Sequence, residues 1–129
     1  MERGEHNHIN IKYNFAWTTK NRAPVLTGDI ATRTFQIIEQ HCEELAFDIL
    51  YKEMGETYVH LVLKCTPNYA PYKIAQYLKG RSSNLLQKEF PHLKSNRYDE
   101  HLWERGYLCM SVGWLIPEDD DIAKFIGKA

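Results

Sequence analysis

No stretch of the 129 residues approaches the roughly 20 consecutive apolar side chains of a membrane-spanning helix, so no membrane span is expected. A secretory signal is missing too. The opening MERGEHNHINIK has neither an apolar core nor a small-residue cleavage site, which points to the cytoplasm. Cysteine is scarce: Cys42, Cys65 and Cys109 are odd in number, far apart and without a C-x-x-C pair. That argues against a disulfide framework and a zinc knuckle, and predicts reduced core thiols. Charge of one sign is lacking as well. With a formal net charge of -1 no overall positive field draws phosphate, so nucleic-acid binding would need a local basic patch. Linkers, internal repeats and low-complexity segments are absent, and the length is enough for one domain, residues 1–129, with its own core.

What is present is clear periodicity. Ile9, Ile11, Tyr13, Phe15 and Trp17 alternate with Asn10, Lys12, Asn14 and Ala16, the period of a half-buried strand. After the turn-like Asn21-Arg22-Ala23-Pro24, the spacing of Ile30, Phe35, Ile38, Cys42 and Leu45 predicts a helix from about Asp29 to Leu45. Ala46 to Lys52 and Thr57 to Cys65 read as a hairpin about Gly55-Glu56. In its second strand Val59, Leu61, Leu63 and Cys65 share the core face, while Tyr58, His60, Val62 and Lys64 share the other. Tyr72 to about Phe90 predicts a second helix, although Gly80 in its middle weakens the pattern. Pro91 to Arg105 is polar and irregular, Gly106 to Val112 a strand, and Pro117 opens a last helix with Ile122, Phe125 and Ile126. This order suggests an α+β fold with helices packed on an antiparallel sheet.

Four stretches carry a resemblance: YNFAWTTKNRAPVL (Tyr13 to Leu26), YVHLVL (Tyr58 to Leu63), KIAQYLKGRSSNLLQKEFP (Lys73 to Pro91) and HLWERGYLCMSVG (His101 to Gly113). In order and spacing, over nearly the whole chain, they resemble the single-tyrosine HUH transposases of the insertion sequence 200/605 type, and LKGRSSNLLQKEFP is the most specific of them. The resemblance implies a ferredoxin-like domain that forms a homodimer by joining sheets and binds hairpin-containing single-stranded DNA. It also implies cleavage by one tyrosine, with a divalent metal held by a His-hydrophobic-His pair and a glutamine one helical turn after the tyrosine. Histidines two apart on a strand face the same way and can share a metal, which offsets charge building on phosphate oxygens.

The chain departs from that pattern at the positions that do the chemistry. Tyr58 stands where the first metal histidine belongs, leaving His60 as a residual ligand. A phenol ionises only near pH ~10 and is a poor substitute at neutral pH. Lys124-Phe125-Ile126 replaces the nucleophile motif, so Phe125 marks the nucleophile position without an oxygen. The sequence stands at Ala129 where the glutamine is expected. No catalytic residue is then intact and no cofactor is expected, with Mg2+ or Mn2+ the metal if activity were retained. Phe125 and His60 also have plain explanations, as a helix packing residue beside Ile126 and as a hydrogen-bonded strand residue. His6 with His8 and the acidic run from Glu118 to Asp121 read as a polar lead-in and as acids favoured at a helix N-terminus.

The nucleic-acid contacts expected from the sequence are Lys20, Arg22, Lys73, Lys79, Arg81, Ser82, Ser83 and Lys88, with Asn84 beside them and Tyr72 or Tyr77 able to stack on a base. The expected function is a transposase-like protein that binds hairpin-containing single strands, DNA first and RNA as an alternative, without cleavage and joining. Two rivals stand beside it: an active enzyme using Tyr107 or Tyr98, and a regulatory or protein-interaction module derived from a transposase.

Overall fold

A computed structural model describes residues 11–94, 101–112 and 125–127. Its elements are β1 (Ile11–Thr18), α1 (Gly28–Glu44), β2 (Asp48–Met54), β3 (Tyr58–Cys65), α2 (Pro71–Glu89) and β4 (Leu108–Val112), with short 3-10 turns at Lys20–Arg22 and Pro91–Lys94. The strands form one antiparallel sheet in the order β2-β3-β1-β4. With helices after β1 and β3, this is the ferredoxin-like α+β arrangement. None of the described helices is long and apolar enough to cross a membrane.

Strand alternation positions the core. Phe15 and Trp17 of β1 with Val59, Leu61, Leu63 and Cys65 of β3 face α1 and α2, which add Ile37, Ile38, Cys42, Ile74, Leu78 and Leu86. The three thiols lie on this side. Burial pushes Cys42 and Cys65 up to about 12 and Cys109 to about 11, so they stay protonated and unreactive at neutral pH.

The element boundaries differ from the sequence expectation where the backbone turns. Strand β2 begins at Asp48, not Ala46, because Ala46 sits in the left-handed region at φ 61 and closes α1. The Ala46 N–H donates to Glu43 O and the Phe47 N–H to Cys42 O, the paired bonds of a Schellman closure. Proline at the first turn opens α2 at Pro71, where its missing N–H costs nothing. Gly80 does not interrupt this helix.

The larger difference concerns residues 101–105, within the stretch expected to be irregular. Leu102 and Trp103 are buried, and the segment pairs with the chain just beyond β1 through a Thr19–Trp103 bridge. Lys20 N–H donates to Leu102 O and Glu104 N–H to Thr18 O, so polar composition conceals a tethered strand-like piece.

Candidate nucleic-acid interface and the catalytic-position site

The sheet face away from the helices carries the residues that diverge from the transposase pattern. Antiparallel register sets Ala16 opposite His60, Thr18 opposite Tyr58 and Glu53 opposite His60, so these side chains meet across three strands. Although this face holds polar groups it is not solvated: Asn14, Ala16, His60 and Val62 are all buried. Tyr58, Leu108, Met110 and Phe125 pack around Ala16 and Ile126 in a small second cluster. Tyr58 and Phe125, two of the positions at which the sequence departs from the pattern, therefore belong to one cluster.

Hydrogen bonding occupies this face. His60 Nε2 lies 2.9 Å from Asn14 Oδ1. Its Nδ1 faces Glu53 Oε1 at 3.8 Å, and the Tyr51 ring packs edge-on at 5.3 Å between centroids. The Tyr58 hydroxyl donates to Glu53 Oε2 at 2.8 Å. Asn14 Nδ2 is buried with no hydrogen-bond partner. Turning the amide over would let Nδ2 donate to His60 Nε2 and place the ring proton on Nδ1, toward Glu53. In both orientations Asn14 uses Nε2, the nitrogen opposite Glu53. Among the described residues the donors beside His60 do not make an imidazole pair for a divalent metal. A single imidazole is engaged by an amide, and the phenol beside it gives its proton to a carboxylate. Among the described residues no three His, Cys, Asp or Glu side chains gather as a metal site requires.

Arg22 fixes the segment that carries Phe125. Its Nη2 donates to Phe125 O at 3.1 Å, and Gly127, at φ 86, leaves room for the guanidinium, since a Cβ there would lie 2.7 Å from Nη1. This places Arg22 at the catalytic-position site and apart from the other expected phosphate contacts. Tyr107 lies on the helix side of the sheet, 6.3 Å from Phe15 between ring centroids, and burial raises its pKa. His6, His8, Tyr98, Ile122 and Glu118 to Asp121 lie outside the described residues.

Across the molecule, α2 and residues 101–105 enclose a groove of about 630 Å3 whose lining includes Lys79, Gly80, Ser83, Lys88, Lys94 and Arg105. It gathers only some of the expected contacts. Lys73 and Lys88 are exposed on α2. Lys79 is half-buried, with Nζ donating to Glu104 O at 2.9 Å and Gly106 O at 2.6 Å, so it straps the segment leading into β4. Desolvation lowers its pKa while Glu104 opposes the shift. Lys20 lies 4.0 Å from Glu104 at the rim. Arg81 belongs to the junction of α1 and α2, where its Nε lies 3.3 Å from His41 Nε2 and its guanidinium 5.6 Å from the Tyr77 ring centre.

The expectation for Ser82 does not hold. Its side chain is fully buried, and Oγ donates to Leu78 O and accepts from Trp103 Nε1 at 2.9 Å. Helical rotation turns Ser82 inward while Ser83 faces the groove, where its Oγ accepts from Gln87 Nε2 and Leu102 N–H. Sequence reasoning missed Asn14 and Glu53. Asn14 reads as an ordinary outward strand residue, and only cross-strand register brings either to His60.

The comparisons agree with this architecture. The family described as Transposase IS200 like matches residues 7–128. The ISDra2 transposase TnpA of Deinococcus radiodurans is 27% identical over 112 residues, 87% of this chain and 80% of that protein. The transposase for insertion sequence element IS200 of Salmonella typhimurium is 30% identical over 108 residues, 84% of this chain and 71% of that protein. Among solved structures, a candidate transposase from Deinococcus radiodurans R1 superimposes with a TM-score of 0.78 at 28% identity, covering 88% of each chain. A REP-associated tyrosine transposase bound to a REP hairpin shares the fold at a TM-score of 0.54 and 13% identity, covering 98% of this chain and 68% of that one. With the family matched over nearly its whole length and the ferredoxin-like sheet in place, this chain belongs to the IS200-like transposase family.

Proposed function

We propose that this protein is a transposase-family DNA-binding protein that recognises hairpin-bearing single strands and neither cuts nor joins them. The observation that carries the reading is the chemistry beside His60. The nucleophile position is a phenylalanine packed in one cluster with Tyr58, and His60 Nε2 is taken by Asn14. A phosphotyrosyl linkage needs a phenol oxygen, and phosphate polarisation needs a metal held rigidly where charge develops. Phe125 supplies no oxygen, and Tyr58 is hydrogen-bonded to Glu53 where the family has an imidazole. The His60 and Tyr58 side chains are thus engaged by Asn14 and Glu53.

Hairpin recognition is carried over from the family and from the hairpin bound by its fold neighbour. Basic side chains at the α2 groove suit it, because phosphate contacts supply affinity through counterion release even when net charge is near zero. In this reading residues 1–129 form one domain, the protein is a cytoplasmic homodimer, and Lys73, Ser83 and Lys88 of the expected contacts serve DNA. Lys79, Arg81, Lys20 and Arg22 serve it through the geometry they hold. The rival nucleophile Tyr107 gains no support, because it packs with Phe15 across the sheet from His60.

The test is binding and cleavage measured side by side on a hairpin-bearing DNA strand with single-stranded flanks, with Mg2+ or Mn2+. Salt-sensitive retention without a denaturant-stable protein–DNA adduct is the expected result. An adduct mapped to any residue overturns the inactive reading, and no retention at low salt overturns the binding reading.

A further inference from the structure

Gly80 lies inside a 19-residue helix, where glycine is destabilising relative to alanine. Nothing in the packing of the described residues asks for it. A Cβ built at Gly80 has open space within 4 Å, and its φ is outside the positive range that favours glycine. Neither sterics nor backbone conformation explains the residue. Its position does, because Gly80 lies on the wall of the α2 groove, one turn from Gln76 and Asn84.

We infer that Gly80 is a notch in which the sugar–phosphate backbone of a bound nucleic-acid strand rests directly against α2. At 3.6 residues per turn, Lys73, Gln76, Gly80, Ser83, Asn84 and Gln87 fall on one helical face. Removing the side chain at its centre exposes helix backbone between two amides that can donate to phosphate and sugar oxygens. Lys88 and Arg105 line the same groove, and Glu104 is the one carboxylate among its described lining residues, so an anionic occupant suits it. Lys73 and Lys88 stand 15 residues apart on α2, about 22 Å along the axis. Cations spread over that length match a strand of several nucleotides, not a compact anion.

The inference rests on the proposed nucleic-acid binding and locates it, and the test separates the two. Affinity for a fluorescein-labelled hairpin DNA with single-stranded flanks is measured at low and high salt for wild type, Gly80→Gln, Gly80→Ala and Lys88→Gln, with thermal melts of each. Gly80→Gln should weaken binding about tenfold or more with a melting temperature equal to or above wild type, since it fills the notch without changing charge. Gly80→Ala should weaken it less and melt higher. Lys88→Gln should lower affinity and reduce the salt slope by about one. Wild type failing to bind removes the proposed function and this inference with it. Wild-type binding with Gly80→Gln indistinguishable from it overturns the notch alone, whatever Lys88→Gln does, and Lys88→Gln also without effect points to a groove for another occupant.

Discussion

At the residue scale the proposed loss of cleavage rests on Phe125, which lacks a phenol oxygen, and on Tyr58, which stands beside a single strand imidazole, His60. Phe125→Tyr restores the attacking oxygen but leaves an unpolarised phosphodiester, so tyrosyl-DNA adduct formation should stay at background on denaturing gels. Adding Tyr58→His supplies a second imidazole on the same strand face. His60 remains bound to Asn14, so weak metal-dependent adduct at most is expected. Strong activity from Phe125→Tyr alone would show that the second imidazole is dispensable. Ser82 gives a different test at the same scale. Ser82→Ala leaves the buried Trp103 indole N–H without its acceptor and should cost about 1–3 kcal/mol in denaturant unfolding, with the salt dependence of DNA binding unchanged. A changed salt slope with unchanged stability would mean that Ser82 touches phosphate after all. Tyr58 and Phe125 were legible in the sequence as departures from the family pattern, because motif spacing identifies them. Asn14 and Glu53 were not, since strands β1 and β2 reach His60 only through pairing.

For the elements, hydrophobic period placed the helices and strands within a few residues, and the misses fall where backbone geometry rules over pattern. The end of α1 is the clearest case. A left-handed residue after a helix is usually glycine, and Ala46 carries no such signal, so the sequence runs the strand back to it. Ala46→Gly should relieve the Cβ clash and stabilise the protein by about 1 kcal/mol after the added unfolded-state entropy is offset, read as a higher denaturation midpoint. A loss of stability would mean that the Ala46 methyl contributes more by packing than it costs by strain. The tether of residues 101–105 was hidden for a related reason. Its partners are backbone groups at Thr18, Lys20 and Thr19, which no side-chain pattern records.

For the whole molecule, the order β2-β3-β1-β4 leaves β2 and β4 as the sheet's edges among the described strands. An exposed edge is a liability that a two-fold partner removes by continuing the sheet. Light scattering at micromolar concentration should report a homodimer, and a monomer would count against joined sheets. The amino-acid sequence by itself determined the class of fold and the family, because periodicity and motif spacing are properties of the chain read in order. Only the tertiary structure decided that Tyr58 and Phe125 share one cluster, that Asn14 and Glu53 surround His60, and that Ser82 turns inward while Gly80 lines a groove. Those facts depend on strand register and helix rotation against a common core, which are fixed by packing between segments far apart in the chain.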